Sequence, residues 1–292
     1  MQVLNFGSLN IDHVYTVDHF TAAGETLAAL DYKINAGGKG LNQSVALARA
    51  GVKTFHAGMI GRDGAFLKEV LESAGVNTVY TVTGKLPTGH AIIQVEKDSA
   101  QNSILLYPGS NAAIAREFIC SVLDNVPEGG WVLLQNEIND IPFLIQEAAK
   151  RNLRVAINPA PCTPAVRNYP LELCSLIMVN LIEAGQLTGV ENDPYKAAQI
   201  LSEKFPESEI VITLGEQGAL YRFKDEEIFV PARSVEAVDT TAAGDTFTGY
   251  YLAARLRGMG AKEAMERASY AASVAVSRPG AAASIPGASE IF

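Results

Sequence analysis

The sequence predicts an α/β fold with a mostly parallel sheet and a second, smaller sheet, on three observations. From about Trp131 onward, short apolar runs alternate with segments of roughly ten or more residues of helical composition, the pattern of βαβ units. Each run closes on a polar or turn residue, as a parallel strand does where it meets a loop. The first third differs, since strand-like segments there follow one another with helical segments between them, which describes a separate small sheet growing out of an α/β core.

Taken in chain order, "MQVLNF" reads as the first strand. It lacks the basic start and long apolar run of a secretory signal, so a cytoplasmic protein is expected. "HVYTV" and "LAALDYKI" supply two short strands; "HAIIQV" (90–95) and "SILLY" (103–107), joined by the polar "EKDSAQN", form a hairpin. These place the small sheet within about residues 12–34 and 88–107. Residues 42–50 and 65–74 have helical composition. The later strands are "WVLLQNE", "LRVAINPAP", "LIMVNLIEA" and "IVITLGEQG", closed by Asn136 and Glu137, Asn158, Asn180 and Gly215. Ligands of open α/β sheets collect beyond the carboxyl ends of the strands, so these closing residues are expected to face one. The Ala-rich segment 261–277 reads as a packed helix. With no repeat, low-complexity tract or linker, residues 1–292 are expected to form one domain.

Composition narrows the function. A chain of 292 residues with 48% hydrophobic and 19% charged residues is that of a folded globular protein, and no segment approaches the roughly 20 apolar residues that span a bilayer. A net charge of −9 without a Lys/Arg cluster excludes a nucleic-acid surface. It leaves a nucleotide open, because N–H groups at a helix start hold phosphate without net positive charge. The three cysteines form no CxxC pair and the four histidines have no metal-ligand spacing, which fits reduced thiols without a disulfide framework or zinc site.

Chemistry concentrates in two stretches. In "DTTAAGDTFTGYYLAARLRG" (239–258) a helix is expected to start near Gly244, with Phe247, Tyr251, Leu252 and Leu256 at helical spacing. The first-turn N–H groups then carry the positive end of the helix dipole, and the small Ala242, Ala243 and Gly244 leave a ligand free to approach. Asp245 is open to two readings: an acidic residue that stabilises a helix start, or a carboxylate that takes a proton from a hydroxyl beside donors for a phosphoryl group. In "NAGGKGLNQSVALARAG" (35–51), Gly37, Gly38 and Gly40 permit close backbone approach, and a helix follows from Asn42. It is neither a Walker A loop nor a dinucleotide fingerprint, and a tight turn before a helix remains the other explanation.

Together, "GGKGLNQSVALARAG" and "DTTAAGDTFTGYYLAA" resemble the two motifs of the ribokinase (PfkB) family of carbohydrate kinases. The similarity runs along nearly the whole chain, through "FGSLNIDHVYTVDHFTAAGETL", "TGHAIIQV", "NSILLYPGSNAAI", "INPAP", "VNLIEAGQLTG", "VITLGEQGAL" and "VAVSRPGAAASIP", in that order. The resemblance implies a three-layer α/β/α sandwich with a small β-sheet lid. It implies ATP-dependent phosphorylation of a sugar hydroxyl, with D-ribose as the leading acceptor, another small sugar or a nucleoside as alternatives, and a non-catalytic sugar-binding relative as the rival. Asp245 takes the position of the general base, and Ala242, Ala243 and Gly244 that of the anion hole. Asn10, Asp12, Gly37, Gly38, Asn42 and Glu137 match sugar-holding positions. Asn180 and Glu183 match the NxxE motif that influences Mg²⁺ and phosphate. Thr213, Gly215 and Gly218 match the nucleotide loop, and Ser269 the position near the adenine. Lys39 is left between a phosphate contact and a solvated lysine.

The family also binds a monovalent cation, K⁺ first among them, and the matching positions are Asp239, Thr241, Ala275, Arg278, Gly280 and Ser284. Three residues depart from the pattern. Asn136 stands where an apolar residue is common, Ser269 where an asparagine is, and Pro279 where a lysine is. An exposed lid sheet has edges and an apolar face to cover, which implies a homodimer through the lids.

Overall fold

A computed structural model describes residues 2–99 and 101–292. Met1, at the head of the expected first strand, and Ala100, in the turn of the expected hairpin, lie outside the described residues. In chain order the elements are β1 (Gln2–Phe6), β2 (Asn10–Val17), β3 (Asp31–Gly37), α1 (Lys39–Arg49), β4 (Lys53–Ile60), α2 (Ala65–Ser73), β5 (Asn77–Thr83), β6 (Gly89–Glu96), β7 (Asn102–Tyr107) and α3 (Arg116–Leu123). There follow β8 (Trp131–Gln135), α4 (Ile141–Lys150), β9 (Arg154–Asn158), β10 (Leu176–Asn180), α5 (Leu181–Thr188), α6 (Pro194–Lys204), β11 (Glu209–Thr213), β12 (Gly218–Phe223), β13 (Glu226–Pro231), α7 (Ala243–Leu256), α8 (Ala261–Val276) and α9 (Ala288–Ile291).

Nine strands form the central sheet in the order β13-β12-β11-β10-β9-β8-β1-β4-β5, parallel except where β12 and β13 add an antiparallel edge. Its strands are apolar on both faces, as parallel strands covered on both sides must be. Val3, Leu133, Leu176 and Met178 pack with α1, α2, α7 and α8, whereas Leu4, Val132, Ile177 and Val179 pack with α3 to α6. The result is the expected three-layer sandwich. The edge hairpin was not legible as strands, because "GALYRF" and "EEIFVP" mix apolar and charged residues without clean alternation. Gly218 opens it at φ +127, and a Cβ there would sit 2.1 Å from the carbonyl oxygen of Val230.

The second sheet runs β3-β2-β6-β7. Its strands begin and end differently from the sequence expectation: β2 starts back at Asn10, and β3 runs from Asp31 to Gly37 without Leu27–Leu30. Pairing explains the extension, since Asn10 lies opposite Gly37, where the absent Cβ makes room for the Asp12 carboxylate. Two side chains root this sheet in the core. Asn111 accepts from Leu9 N (3.1 Å) and donates to Leu9 O (3.2 Å) and Asn10 Oδ1 (2.7 Å). Thr88 Oγ1 donates to Asp63 Oδ1 (2.7 Å) and accepts from Gly61 N (2.9 Å). Beyond these roots β3 and β7 are exposed along almost their whole length.

No helix among the described residues is long and apolar enough to cross a membrane. The helices α1 and α7 pack closely, so that a Cβ on Gly249 would lie 2.4 Å from Ala46 Cβ and 3.0 Å from Leu47 N. At the far end of α7, Glu209 at the start of β11 accepts from Arg255 Nη2 (2.6 Å) and Tyr251 Oη (3.0 Å). Replacing Gly249→Ala forces α1 and α7 apart and is expected to destabilise the fold by about 1–3 kcal/mol, the usual cost of overpacking. Urea unfolding checks this: the midpoint falls while the slope is unchanged, and an unmoved midpoint refutes the close contact.

Candidate active site

The glycine cluster is the start of α1 itself. Gly38 is the N-cap at φ +96, a conformation that L side chains rarely adopt. Gly40 lies inside the first turn, where a Cβ would be 2.3 Å from Ser8 N and 2.5 Å from Gly7 Cα. The helix therefore begins at Lys39, three residues before the expected Asn42, because only glycines let it abut the end of β1. That earlier start turns Asn42 and Gln43 toward α7.

The helix α7 begins at Ala243, one residue before the expectation, and its N-cap Ala242 takes φ +61. The Ala243 N–H turns back to Thr240 O at 3.3 Å, and Thr246 N bonds Ala242 O at 2.8 Å. Among the described residues the N–H groups of Ala242, Gly244 and Asp245 have no acceptor. A Cβ on Gly244 would meet nothing within 4 Å, so this helix end opens onto free space. Asp245 itself is only 8% exposed, and both carboxylate oxygens are engaged: Oδ2 accepts from Asn42 Nδ2 (3.0 Å) and Oδ1 from Gln43 Nε2 (2.9 Å). Asn42 Oδ1 is left buried without a partner, a spare acceptor beside the carboxylate.

A cavity of about 260 Å³ lies over this helix end, at the carboxyl ends of β9, β10 and β11. Asp245, Lys39 and Glu183 line it, with Ala242–Gly244 on the floor and Asn158, Asn180 and Thr213 on the walls. Lys39 is not a solvated surface lysine. The negative charge of Asp245 holds its ammonium above the usual range against the effect of burial, with help from Glu137 and Glu183. Burial raises Glu183, only partly offset by the Asn180 N–H and Lys39. Asn180 and Glu183 form a reciprocal cap on α5, with Glu183 N donating to Asn180 Oδ1 (2.8 Å) and Asn180 N to Glu183 Oε2 (2.9 Å). Glu137 Oε2 accepts from Ser8 Oγ (2.5 Å) and Lys39 N (3.0 Å), and burial raises its pKa although Lys39 opposes. Asp12, over Gly37, is pushed up to about 7 by burial and then by the charge of Glu137.

The remaining expected residues fall into two groups. Asn10, Asp12 and Gly37 share one face of the second sheet, next to Gly38 and Asn42. Gly215 (φ +59) and Gly218 shape the turn after Thr213 without lining the cavity, and Ser269 is buried in α8 away from it. The loop before α7 is tied to the end of α8: Asp239 Oδ1 accepts from Thr241 N (2.9 Å), Oδ2 from Gly280 N (2.9 Å), and Val276 O accepts from Asp239 N (3.1 Å). Burial raises the Asp239 pKa, but the Thr241 side chain and the N–H groups of Thr241 and Gly280 together outweigh it and leave the carboxyl below its usual value. Arg278 turns its guanidinium to Glu290 (2.5 Å), so only its backbone is free to face that loop; Ala275 O accepts from Arg278 N (3.1 Å), and Ser284 Oγ donates to Ala281 O (2.9 Å). Asn136 does not reach the cavity: it donates to Pro161 O and accepts from Tyr169 Oη, both at 2.7 Å. Sequence reasoning missed Gln43, Thr240 and Thr248 at the site. The step from Asn42 to Gln43 on a helix start was the available signal for the first.

Among the described residues no three His, Cys, Asp or Glu side chains are grouped to hold a metal ion. A sequence profile described as pfkB family carbohydrate kinase matches residues 2–288. A ribokinase of Haemophilus influenzae is 37% identical over 290 residues, covering 96% of this chain and 94% of its own. A deoxyribokinase of Salmonella typhi is 33% identical, covering 98% of this chain and 96% of its own. The structure of Arabidopsis thaliana ribokinase complexed with ribose and ATP superposes with a TM-score of 0.88 at 28% identity, over 99% of this chain and 96% of that one. With a carboxylate and free amides at one helix start, and a match that runs from the first strand to the last helix, this chain belongs to the pfkB family of carbohydrate kinases.

Proposed function

We propose that this chain is a ribokinase, which transfers the γ-phosphoryl group of ATP to the 5-hydroxyl of D-ribose and releases ADP and ribose 5-phosphate. The observation that carries the reading is the Asp245 carboxylate, fixed by two side-chain amides beside the unpartnered N–H groups of Gly244 and Asp245. The ribose hydroxyl gives its proton to Asp245 as its oxygen attacks the γ-phosphorus in line, and the bridging oxygen leaves with ADP. The helix-start amides and the Lys39 ammonium offset the charge spread over the transferring oxygens. Asn10, Asp12, Asn42 and Glu137 pair the sugar hydroxyls, with Gly37 and Gly38 keeping backbone and acceptor close. The nucleotide runs from the anion hole past Thr213 toward the turn at Gly215 and Gly218 and the Ser269 region of α8.

The donor set fits the ions that the resemblance implies. Apart from the Asp245 base, the cavity is lined by one carboxylate, Glu183, with Asn180 beside it, which suits Mg²⁺, an ion that keeps most of its waters and needs few protein ligands. Bound magnesium would neutralise phosphate charge. A monovalent cation such as K⁺ would take oxygens at the positions that the resemblance implies, Asp239, Thr241, Ala275, Arg278, Gly280 and Ser284, and would brace the loop before α7, which Asp239 already ties to Gly280. The reading includes a cytoplasmic location and one domain whose second sheet serves as a lid that excludes water. The lid face opposite Asp12 carries exposed Tyr32, Ile34, Ile92, Leu105 and Tyr107, a surface for a second copy. A deoxyribose acceptor is the second reading, favoured by the similar deoxyribokinase.

ADP release with Mg-ATP and K⁺ tests the function across ribose, deoxyribose, fructose, adenosine and cytidine. Ribose is expected to give the highest kcat/KM, and Asp245→Asn to lower kcat by ~10²–10⁴-fold with both substrates still bound; turnover that survives this change removes the base assignment. Because burial pushes folded Asp12 up to about 7 while the unfolded group keeps the ordinary value of 3.8, the folded chain binds the extra proton between them. Stability therefore falls as pH rises through that window. Asp12→Asn, which cannot ionise, is expected to gain more melting temperature relative to the parent at pH 8 than at pH 5; an equal difference at both values contradicts the raised pKa. Leu105→Glu, on an exposed lid position, is expected to convert a sedimenting dimer into a monomer at micromolar concentration, and a parent that sediments as a monomer ends the dimer proposal.

A further inference from the structure

Behind Asp245 a chain of polar side chains runs into the core between β1, β8 and α1, and Gln43, Gln135, Asn5, Ser44 and His56 are each at most 1% exposed. Gln43 Nε2 donates to Asp245 Oδ1 (2.9 Å) and to Asn158 Oδ1 (3.2 Å), while its Oε1 accepts from Gln135 Nε2 (2.7 Å). Gln135 Nε2 also donates to Asn5 Oδ1 (3.0 Å). Asn5 Nδ2 donates to Gly40 O and Ser44 Oγ, both 2.8 Å, and Ser44 Oγ meets His56 Nδ1 at 2.8 Å.

The direction of each amide bond follows from its ends. The Asp245 carboxylate accepts, so Gln43 must turn its NH₂ outward and its carbonyl inward. The inward carbonyl requires the Gln135 NH₂, whose second hydrogen goes to Asn5. Asn5 must then donate to Ser44, whose hydroxyl shares a hydrogen bond with His56, an imidazole that stays neutral because burial lowers its pKa to about 4. An amide that accepts at oxygen while donating at nitrogen is polarised in the sense that strengthens both bonds. A core built only to be stable has no use for this. Apolar residues of the same size pack at less desolvation cost, and Gln135 Oε1 is left buried with no partner at all.

We infer that Gln43 is the positioning residue of the phosphoryl transfer and that Gln135 acts through it, holding the Asp245 carboxylate in the one orientation that leaves lone pairs facing the acceptor hydroxyl. Gln135 does not line the cavity, and its side chain reaches Asp245 through the amide of Gln43. The inference rests on Asp245 as the base, and it fails separately: loss of turnover in Asp245→Asn with full turnover in both glutamine variants sinks the positioning role alone.

The test is a double-mutant cycle in kcat, with Gln43→Met and Gln135→Met assayed well below the melting temperature of each. Gln43→Met is expected to lower kcat by roughly 10- to 100-fold and Gln135→Met by roughly 3- to 10-fold, with KM for ribose and ATP within about twofold of the parent. The double variant is expected to be no slower than Gln43→Met, because Gln135 has no other route. Parent-like kcat in either variant, multiplying effects in the pair, or a loss confined to KM overturns the inference. Should a methionine variant fail to fold, the side-chain amide resonances decide the matter. In Asp245→Ala the NH₂ signals of Gln43 and Gln135 are expected to move together while that of the distant Asn152 stays; a still Gln135 signal refutes the relay.

Discussion

The carboxylate of Asp245 is bound on both oxygens by amides of a single helix start, Asn42 and Gln43, and that pair of bonds fixes how α1 and α7 sit against each other. Gly249 and Ala46 supply the steric half of the same constraint, since the two helices approach closer than any side chain at 249 permits. Both helices cover the same face of the central sheet, and each begins at the carboxyl ends of the parallel strands. The anion-binding amides of α7 and the sugar-facing residues of α1 and β2 thus meet over one cavity as a result of packing that also builds the core.

Charge at the site is unbalanced toward negative groups. Glu137, Glu183 and Asp245 act on one ammonium, Lys39, with Asp12 beside Glu137, and burial lifts Asp12, Glu137 and Glu183 toward neutrality. A site of this kind repels a polyphosphate unless donors without net charge, together with cations, meet it. The free amides at the start of α7 answer part of that demand at no desolvation cost of a further ion. The arrangement also explains why the low overall charge of the chain and a nucleotide substrate are compatible.

Much of this was legible in the sequence. The parallel strands were visible because both faces are buried and each run is continuously apolar, and their closing residues Asn158 and Asn180 do line the cavity. Asp245 stood out because small residues precede it at a helix start. The β12–β13 hairpin was not legible, since an edge strand open to solvent on one side carries charges that blur its period. Nor was the amide chain behind Asp245: Asn5, Gln43, Gln135 and Ser44 are spread over 130 residues, and polar residues inside apolar segments announce partners without naming them. Lys39 was ambiguous for a related reason, because its environment is set by carboxylates from β8 and its loop, α5 and α7 that only the fold brings near.

The bond from Asn42 to Asp245 joins positions 203 residues apart, and the one from Gln43 spans 202. During synthesis the central strands β1, β4 and β8 can pair once residue 135 has emerged, long before α7 exists. Until then the nascent chain holds a nearly complete sheet whose α1 presents two amides and an apolar flank to water, with no helix to cover them. Activity therefore waits for the translation of α7. A message cut short anywhere before α7 yields a sheet-containing product that is catalytically silent and exposes a surface for the cell's quality-control machinery.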